Sequence, residues 1–299
     1  STGVVDGYGA TTTNEYISFK GGPHTTYDSL TGVTLKEVFD SKSNIWDDTV
    51  TSSAGAIDAT RESNLKCDLS EGVTVEFWLQ TGSIASTITE KQVIFDLWNG
   101  QLSESADYGR ITVELTSSGS PFLVTVMSGT TGYSQQAIGS TLNQNTLSNW
   151  GHYAFSFASG TTGDIATKFY QNGALNETLT TGTNIGEILN PIEARLGALI
   201  TLPSGSLAPA GSGKLSGSID DFRFWKTRRT SKEIGRYWFT SNLGGGTNTD
   251  TANIDLGVYY KFNEGITGNT ATDASILDYS GRISNGTWTG YPGSTARNT

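Results

Sequence analysis

The sequence has very little cysteine, proline, methionine or charge. Its 299 residues include 1 cysteine, 6 prolines and 1 methionine, and only 16% are charged. A single cysteine, Cys67, excludes an internal disulfide, so stability has to come from a hydrophobic core. A buried structural thiol is the simplest interpretation of Cys67, and the lack of disulfides suggests synthesis in a reducing compartment.

Positive charge is scarce as well. There are 19 lysine and arginine residues against 29 aspartate and glutamate residues, which gives a formal net charge of −10. No basic run could follow a phosphate backbone, so nucleic acid is not expected as a partner. No apolar run reaches the roughly 20 residues that span a bilayer, so no membrane insertion is expected. The densest basic patch, Lys226 with Arg228 and Arg229, is interpreted as a solvent-exposed connection.

Glycine, aromatic residues and short alternating runs are abundant instead. The 37 glycines and the long Ser/Thr/Gly/Asn stretches are typical of all-β proteins. Alternating apolar runs between turn-forming residues predict strands at 92–97, 110–115, 122–127, 152–157, 167–170 and 258–262. The dipeptide Asn172-Gly173 predicts a tight hairpin turn. A sandwich of two antiparallel sheets is therefore the expected fold.

The most specific signal is the segment 219–225, Ile-Asp-Asp-Phe-Arg-Phe-Trp, which is closely followed by Thr-Ser-Lys-Glu-Ile. Period-two alternation in the first stretch predicts a half-buried strand. Thr230 and Glu233 have the spacing of a capping box, in which each side chain bonds the backbone N–H of the other residue. One short helix is therefore expected near 230–239.

This segment resembles the end of a laminin-G-like domain of the concanavalin A-like lectin/glucanase superfamily. In that family an Ile-Asp-Asp/Glu-Val/Phe-Arg strand precedes a Ser-x-Glu-Ile turn of helix. Residues 73–79, 149–157 and 168–173 resemble the family's Phe-Thr-Val-Glu-Phe-Trp strand, its Trp-His-His-Val-Ala strand and its Leu-Tyr-Val-Asp/Asn-Gly hairpin, in that order. The resemblance implies an all-β, concanavalin A-like jelly roll of two antiparallel sheets over residues 51–240.

The segments on either side of this sandwich are expected to be arranged unusually. Residues 1–50 are predicted to be an N-terminal extension, because they contain few alternating runs. The stretch 241–250 has the composition of a flexible linker. Residues 257–265 and 278–286 resemble elements that normally open a laminin-G-like domain, although here they come last. The segment 241–299 could complete the sandwich within the chain, complete a neighbouring subunit, or begin a second repeat.

Glycan contacts are expected in loops, as the resemblance implies. The aromatic residues in or beside turn-rich segments are Trp46, Trp98, Tyr108, Tyr133 and Trp288. An exposed ring can stack on a sugar, whereas the alternative for each residue is packing in the core or between segments. Trp78, Trp150 and Trp225 stand inside alternating strands and are predicted to be core residues.

The resemblance also implies a calcium ion, held by the aspartate of the Ile-Asp-x-x-Arg strand, which here is Asp220. Calcium takes about 6–8 oxygen ligands and accepts backbone carbonyls. Alternatively, Asp220 bonds a backbone N–H or pairs with Arg223. The glycosidases of this fold carry Glu-x-Asp-x-x-Glu, and this spacing is absent, so no catalysis is expected. Adjacent Asp220 and Asp221 would point to opposite faces of a regular strand.

Together these observations predict a non-catalytic surface protein. Its laminin-G-like module would act as a structural or adhesion subunit of a viral (phage) or bacterial surface assembly, and would bind cell-surface glycans. The expected partners are further copies of the chain or other assembly subunits, and the expected location is extracellular or on a virion surface. The alternative is a monomeric carbohydrate-binding lectin module of a larger extracellular protein. A glycoside hydrolase would need paired carboxylates at a spacing that the sequence lacks.

Overall fold

A computed structural model shows a sandwich of β-sheets. The described residues are 2–6, 16–20, 64–81, 92–103, 105–116, 120–142, 144–190, 192–200, 215–240, 255–280, 284–289 and 297–298. The strands are β1 (Thr2–Asp6), β2 (Tyr16–Lys20), β3 (Val73–Thr81), β4 (Gln92–Trp98), β5 (Gly109–Leu115), β6 (Phe122–Ser128), β7 (Thr131–Ile138), β8 (Gly151–Ser159), β9 (Ile165–Gln171), β10 (Ala174–Thr181), β11 (Glu193–Leu196), β12 (Ser216–Trp225), β13 (Leu256–Tyr260), β14 (Ser275–Ile276), β15 (Gly286–Thr289) and β16 (Arg297–Asn298). The helices are α1 (Ser231–Tyr237), α2 (Thr270–Asp273) and a 3₁₀ helix (Gln144–Ser148).

The strands form two antiparallel sheets. Sheet 1 has the order β10-β9-β8-β3-β12-β1-β16, and β13 also pairs with β12. Sheet 2 has the order β14-β15-β2-β11-β4-β5-β6-β7. This confirms the predicted jelly roll, and α1 confirms the helix expected near 230–239, although α2 adds a second short one. In the part of the chain that is described, neither helix has the length or the hydropathy to cross a bilayer.

The hydrophobic core lies between the sheets, because alternate residues of each strand point inward. On β8, Tyr153, Phe155 and Phe157 are fully buried. The ring of Phe155 packs against Phe169 of β9, with centroids 4.9 Å apart, and against Phe122 of sheet 2 at 5.2 Å. Burying one such side chain contributes roughly 1.5–3 kcal/mol, which explains how the fold is stable without a disulfide.

Two strands come from the segment that the sequence interpretation treats as an N-terminal extension. β1 pairs with β12, and β2 pairs with both β11 and β15. Ile17 and Phe19 of β2 are buried in the core, with Ser18 half-buried between them. The short alternation Tyr-Ile-Ser-Phe-Lys therefore forms a strand, and both β1 and β2 pair within the two sheets.

The C-terminal element β13 pairs with the second half of β12 in the same chain. Phe222 lies opposite Tyr260 and Phe224 opposite Val258, while β1 takes the first half of the same β12 edge. Residues 257–260, which resemble an element that normally comes first in a laminin-G-like domain, therefore pair within sheet 1 although they come late in this sequence. The boundaries at 50 and 240 stay a prediction.

A β-bulge interrupts β12 at Asp220 and Asp221. Asp221 has a φ of 46°, and the register against β3 shifts between Asp220 and Arg223. Strict alternation would put Ile219 on the same face as Arg223. The extra residue instead lets both Ile219 and Phe222 enter the core, while Arg223 stays on the outer face of sheet 1.

Candidate functional site

Three aromatic residues form a partly exposed surface on the outer face of sheet 1. Trp78 lies on β3, and Trp238 and Phe239 directly follow α1. The rings of Trp78 and Trp238 have centroids 5.6 Å apart, and Phe239 meets Trp238 edge-on at 5.6 Å. Phe239 is 63% exposed, and the two indole side chains are half-buried. We call these three residues the aromatic platform.

The structure corrects the predicted core position of two tryptophans. Phe77 and Leu79 fill the core, so alternation along β3 turns Trp78 to the outer face. Trp150 comes just before β8 and is 37% exposed. Trp225 is buried, as predicted, but in a separate cluster that packs against α1 and not between the sheets.

The short helix α1 fixes the position of the platform. Its capping box is present as predicted: the backbone N–H of Thr230 donates to Oε2 of Glu233 at 2.7 Å, and the backbone N–H of Glu233 donates to Oγ1 of Thr230 at 3.3 Å. Ile234 is fully buried against outer-face residues of β8 and β9. Trp238 is the C-cap residue, so the capped helix delivers its indole directly onto the sheet.

The hairpin turn between β9 and β10 packs against Trp238. Asn172 and Gly173 have φ values of 48° and 79°, the left-handed pair of a tight two-residue turn. A Cβ atom added to Gly173 would lie 2.1 Å from Cδ1 of Trp238. Glycine is therefore required here for two reasons, its positive φ and the close approach of the indole.

A buried charge cluster of Glu76, His152, Arg223 and Arg229 lies next to the platform. Nη1 of Arg229 donates to Oε1 of Glu76 at 2.6 Å. Oε2 of Glu76 lies 3.4 Å from Nε2 of His152 and 3.6 Å from Nη1 of Arg223. Burial by itself raises the pKa of Glu76, but His152 and the two guanidinium groups outweigh it and hold that pKa at about 2. Glu76 is therefore a fixed anion.

His152 joins the charge cluster to the platform. Its ring lies 5.8 Å from the ring of Trp78 and 6.0 Å from that of Trp238. Burial lowers the pKa of His152 in spite of the nearby Glu76, so the imidazole is neutral at pH 7. Among the described residues, Nδ1 of His152 has no hydrogen-bond partner. Buried polar atoms are usually paired, so the cluster is not fully satisfied.

Arg223 connects the charge cluster to the β12 bulge. Its Nη2 donates to the backbone oxygen of Thr240 and lies 3.7 Å from Oδ2 of Asp221. The guanidinium carbon also lies 5.2 Å from the ring centre of Tyr259, whose hydroxyl donates to Oδ1 of Asp221 at 2.7 Å. Asp221 is therefore engaged on the outer face by an arginine and a tyrosine.

Asp220 stands beside the platform. It lies directly opposite Trp78 in the register of β12 and β3, and cross-strand partners share one face. Its Oδ1 accepts the backbone N–H of Asp221 at 3.0 Å, which is one of the alternatives that the sequence left open. Burial and the charge of Asp221 raise the pKa of Asp220 to about 7. The expectation that the two carboxylates lie apart on opposite faces is wrong, because the bulge lets them interact.

Calcium at Asp220 stays a prediction. In the described segments, no three side chains of the His, Cys, Asp and Glu types gather where they could hold a metal ion. Asp221 is already occupied by Arg223 and Tyr259. Asp220 alone would supply only a small part of the roughly 6–8 oxygens that calcium takes, so the described residues do not fit a calcium site by themselves.

The loop aromatics predicted to contact glycans do not come together in one site. Trp46 lies outside the described residues. Trp98 ends β4 half-buried on sheet 2, where its indole N–H donates to the backbone oxygen of Gln101 at 2.8 Å. The guanidinium of Arg110 lies 6.0 Å from the centre of the Trp98 ring.

The other three loop aromatics are covered by protein. Tyr108, Tyr133 and Trp288 are 4%, 6% and 2% exposed. The hydroxyl of Tyr133 shares a short hydrogen bond with Thr167, and Trp288 belongs to the main core. Rings buried to this degree cannot stack on a sugar. Glycan contact therefore does not fit these three residues, and packing, the stated alternative, describes them.

The platform itself could have been found from the sequence. Trp78 follows a core phenylalanine, so alternation alone predicts that it faces outward. Two adjacent aromatic residues at the end of a short helix, Trp238 and Phe239, cannot both turn toward the core. The burial of Arg229 is harder to predict from the sequence, because this residue belongs to a patch expected to be exposed. In the structure it is only 6% exposed.

Comparison with known proteins gives a family match over more than half of the chain. The family model described as the concanavalin A-like lectin/glucanases superfamily, of the laminin-G type, matches residues 51–235. No curated protein matches the sequence. A similar solved structure is a native heptameric SAP-like pentraxin from Limulus polyphemus, which is 10% identical with a TM-score of 0.39, over 78% of this chain and 79% of the pentraxin.

Two other similar structures are parts of carbohydrate-active proteins. Domain 4 of an extracellular GH43 arabinanase from Geobacillus stearothermophilus, in complex with arabinotriose, is 17% identical with a TM-score of 0.35, over 58% of this chain and 69% of that domain. The CBM40 of a Ruminococcus gnavus sialidase, bound to α2,6-sialyllactose, is 14% identical with a TM-score of 0.35, over 58% and 92%. At these identities and TM-scores, the likenesses carry no argument about function.

Proposed function

Because the chain belongs to the concanavalin A-like lectin/glucanase superfamily, we propose that it is a non-catalytic carbohydrate-recognition module of a surface protein. The aromatic platform is the proposed binding surface. Extracellular space or a virion surface is the proposed location, since glycans are displayed there. The fold by itself does not establish binding, so the proposal depends on the site.

The observation that carries the proposal is the combination of exposed rings with a neighbouring carboxylate. Sugars present flat C–H faces that pack on aromatic rings, and hydroxyl groups that donate to carboxylates. Trp78 and Trp238 supply the rings, and Asp220 is the cross-strand neighbour of Trp78. The rings are held by α1 and the Gly173 turn, so little ordering is needed when a ligand binds.

The electrostatics of the site support binding without catalysis. Glycoside hydrolysis needs one carboxylic acid and one carboxylate on either side of the scissile bond. Glu76 is buried and ionised at neutral pH, and Asp221 is bound by Arg223 and Tyr259. Among the described residues, Asp220, with its pKa raised to about 7, has no free partner carboxylate at the platform.

Glycan-array screening of the full chain, followed by calorimetric titration of the best oligosaccharide, tests this function. Trp238→Ala should weaken binding at least about fivefold, since stacking on one ring is worth roughly 1 kcal/mol or more. Trp98→Ala, which removes a half-buried indole on the other sheet, is the matched control and should bind like the wild type. Release of reducing sugar from the ligand would contradict the non-catalytic assignment.

A second candidate function is a structural or adhesion subunit of a phage or bacterial surface assembly. It is favoured by strand β7, which ends sheet 2 and contains no charged residue. Residues 134–137 of this strand are exposed. Edge strands usually carry charges or proline that prevent pairing with another chain, so an uncharged edge is suited to self-association.

Light scattering and electron microscopy at increasing protein concentration test the assembly role. A repeating particle that Gln136→Lys disrupts would support pairing through β7. Gln101→Lys, on a loop of the same sheet, is the control for added charge and should leave the particle intact. A monomer at every concentration would contradict the assembly role without affecting glycan binding.

A further inference from the structure

We infer that the platform selects uncharged or amino-bearing sugars and excludes anionic ones. This inference rests on the proposed function and adds the chemical class of its ligand. Its basis is the sign of the charge that the site presents. The carboxylates of Asp220 and Asp221 lie on the platform side of sheet 1, whereas the arginines of the charge cluster are withdrawn from solvent.

The two arginines next to the platform cannot receive an anionic sugar. The side chain of Arg223 is 0% exposed and that of Arg229 is 7% exposed. Both face Glu76, at 3.6 Å and 2.6 Å, and Arg229 also lies 4.2 Å from the ring centre of Trp225. Turning either guanidinium toward a ligand would remove one of the two arginine counter-charges of the buried Glu76, which is unfavourable.

The exposed cations of α1 and Lys261 lie away from the two indole rings. Lys232 and Arg236 lie two residues before and after the buried Ile234, so the helical repeat turns them away from the sheet and from Trp238, on the side of Phe239. Lys261 lies between two tyrosine rings, with Nζ 5.3 Å from the ring centre of Tyr259 and 5.0 Å from that of Tyr279.

Asp220 strengthens the negative character of the site at neutral and higher pH. It lies opposite Trp78 on the same face of sheet 1. The charged groups that act on it are Asp221, which raises its pKa, and the N-terminal ammonium group and Arg223, which lower it. Burial and the charge of Asp221 raise the pKa of Asp220 to about 7. A positively charged ammonium group on the ligand would be attracted to the carboxylates of Asp220 and Asp221, whereas a uronate or sialate carboxylate would be repelled by them. The discrimination against anionic sugars should therefore increase as the pH rises through 7, because Asp220 loses its proton over this range.

Three oligosaccharides of equal length test the inference on the full chain: trimers of N-acetylglucosamine, glucosamine and galacturonate. Calorimetric titration at pH 6 and pH 8 should give at least about tenfold weaker binding of the galacturonate trimer than of the better of the other two. Asp220→Asn should reduce this difference in affinity at pH 8. Asp107→Asn removes an exposed charge on a loop of sheet 2 and should leave the difference in affinity unchanged.

The outcomes separate this inference from the proposed function. Equal or tighter binding of the galacturonate trimer would overturn the inference and keep the carbohydrate function. Binding that Trp238→Ala leaves unchanged would place the sugar elsewhere and also overturn it. If no trimer and no array glycan binds, the carbohydrate function fails, and the ligand class fails with it.

Discussion

The outer face of each sheet buries one carboxylate beside arginine, and the two clusters differ in how completely their hydrogen bonds are formed. On sheet 2, Asp96 accepts Nε and Nη2 of Arg110 at 2.8 and 2.7 Å, the hydroxyl of Thr112 at 2.8 Å and the backbone N–H of Ile200 at 2.9 Å. This two-pronged pairing is the strongest geometry that arginine and a carboxylate form.

On sheet 1, Glu76 makes one short bond, to Arg229, and holds Arg223 and His152 at longer distances. Among the described residues, Nε of Arg223 and Nδ1 of His152 lack hydrogen-bond partners. The difference separates two roles. The pair on sheet 2, in which both carboxylate oxygens are bonded and Nη1 of Arg110 lacks a partner among the described residues, holds a loop to the sheet. The less complete cluster on sheet 1 lies beside the partly exposed rings.

The largest expected effect is on the Asp96–Arg110 pair of sheet 2. Asp96→Ala would leave the guanidinium of Arg110 buried without a counter-charge, so we expect a loss of about 3–5 kcal/mol in the free energy of unfolding. Urea unfolding measures it. Glu193→Ala, which breaks the partly exposed pair with Arg195, is the control and should cost about 0–1 kcal/mol. A loss below about 1 kcal/mol for Asp96→Ala would show that the pair is not a stabilising anchor.

The next effect concerns Glu76. Its pKa of about 2 lies below that of the unfolded chain, so Glu76→Gln should cost about 3 kcal/mol at pH 7. The wild type has this contribution above about pH 4.5 and loses it as the pH falls toward 2. The free energy of unfolding, measured between pH 4.5 and pH 2, should fall with decreasing pH in the wild type and change less in Glu76→Gln. Parallel slopes would contradict a depressed pKa.

The neutral His152 acts in the same direction. Burial lowers the pKa of His152, so the unfolded chain takes up a proton that the folded chain does not. Asp220 acts in the opposite direction over this range, so the contribution of His152 is measured in Asp220→Asn, where stability should begin to fall as the pH drops below the ordinary histidine value of about 6.5. Stability of Asp220→Asn that rises on acidification from pH 7 to pH 5 would contradict a buried neutral imidazole.

A smaller effect is expected from the turn that packs on the platform. Gly173→Ala strains a φ of 79° and pushes a methyl group against Trp238, so we expect a loss of about 1–2 kcal/mol and a change in tryptophan fluorescence. Gly163→Ala is a matched control, because its φ is 88° and nothing lies within 4 Å of the added Cβ. Equal losses of stability and unchanged fluorescence in both variants would show that the Gly173 turn does not hold Trp238 in place.

The smallest effect is at Asp220. Because its pKa is raised to about 7, the folded chain binds a proton that the unfolded chain releases, and stability falls as the pH rises from about 4 to 7. Asp220→Asn should be neutral at pH 4 and stabilising by about 1 kcal/mol at pH 8, after allowance for solvent screening. If Asp220 binds calcium, millimolar calcium should raise the melting temperature of the wild type at pH 8 but not that of the variant.

The sequence by itself determined the parts of this protein that depend on neighbouring residues. Alternation specifies the strands β3 and β8, the Thr230–Glu233 spacing specifies α1, and Asn172-Gly173 specifies the turn before β10, because each of these depends on local backbone preference and on which face is apolar. The same alternation, with Phe77 and Leu79 in the core, places Trp78 on the outer face, so the prediction of a core position for Trp78 is wrong.

Only the tertiary structure decided what covers those outward faces. Arg229 is buried because Glu76, 153 residues away in the chain, requires a counter-charge. The two carboxylates of β12 come close together because the pairing with β3 shifts register between Asp220 and Arg223. Tyr108, Tyr133 and Trp288 lie in turn-rich or short segments, yet long-range packing buries them. Such contacts join distant parts of the chain, so no local pattern records them.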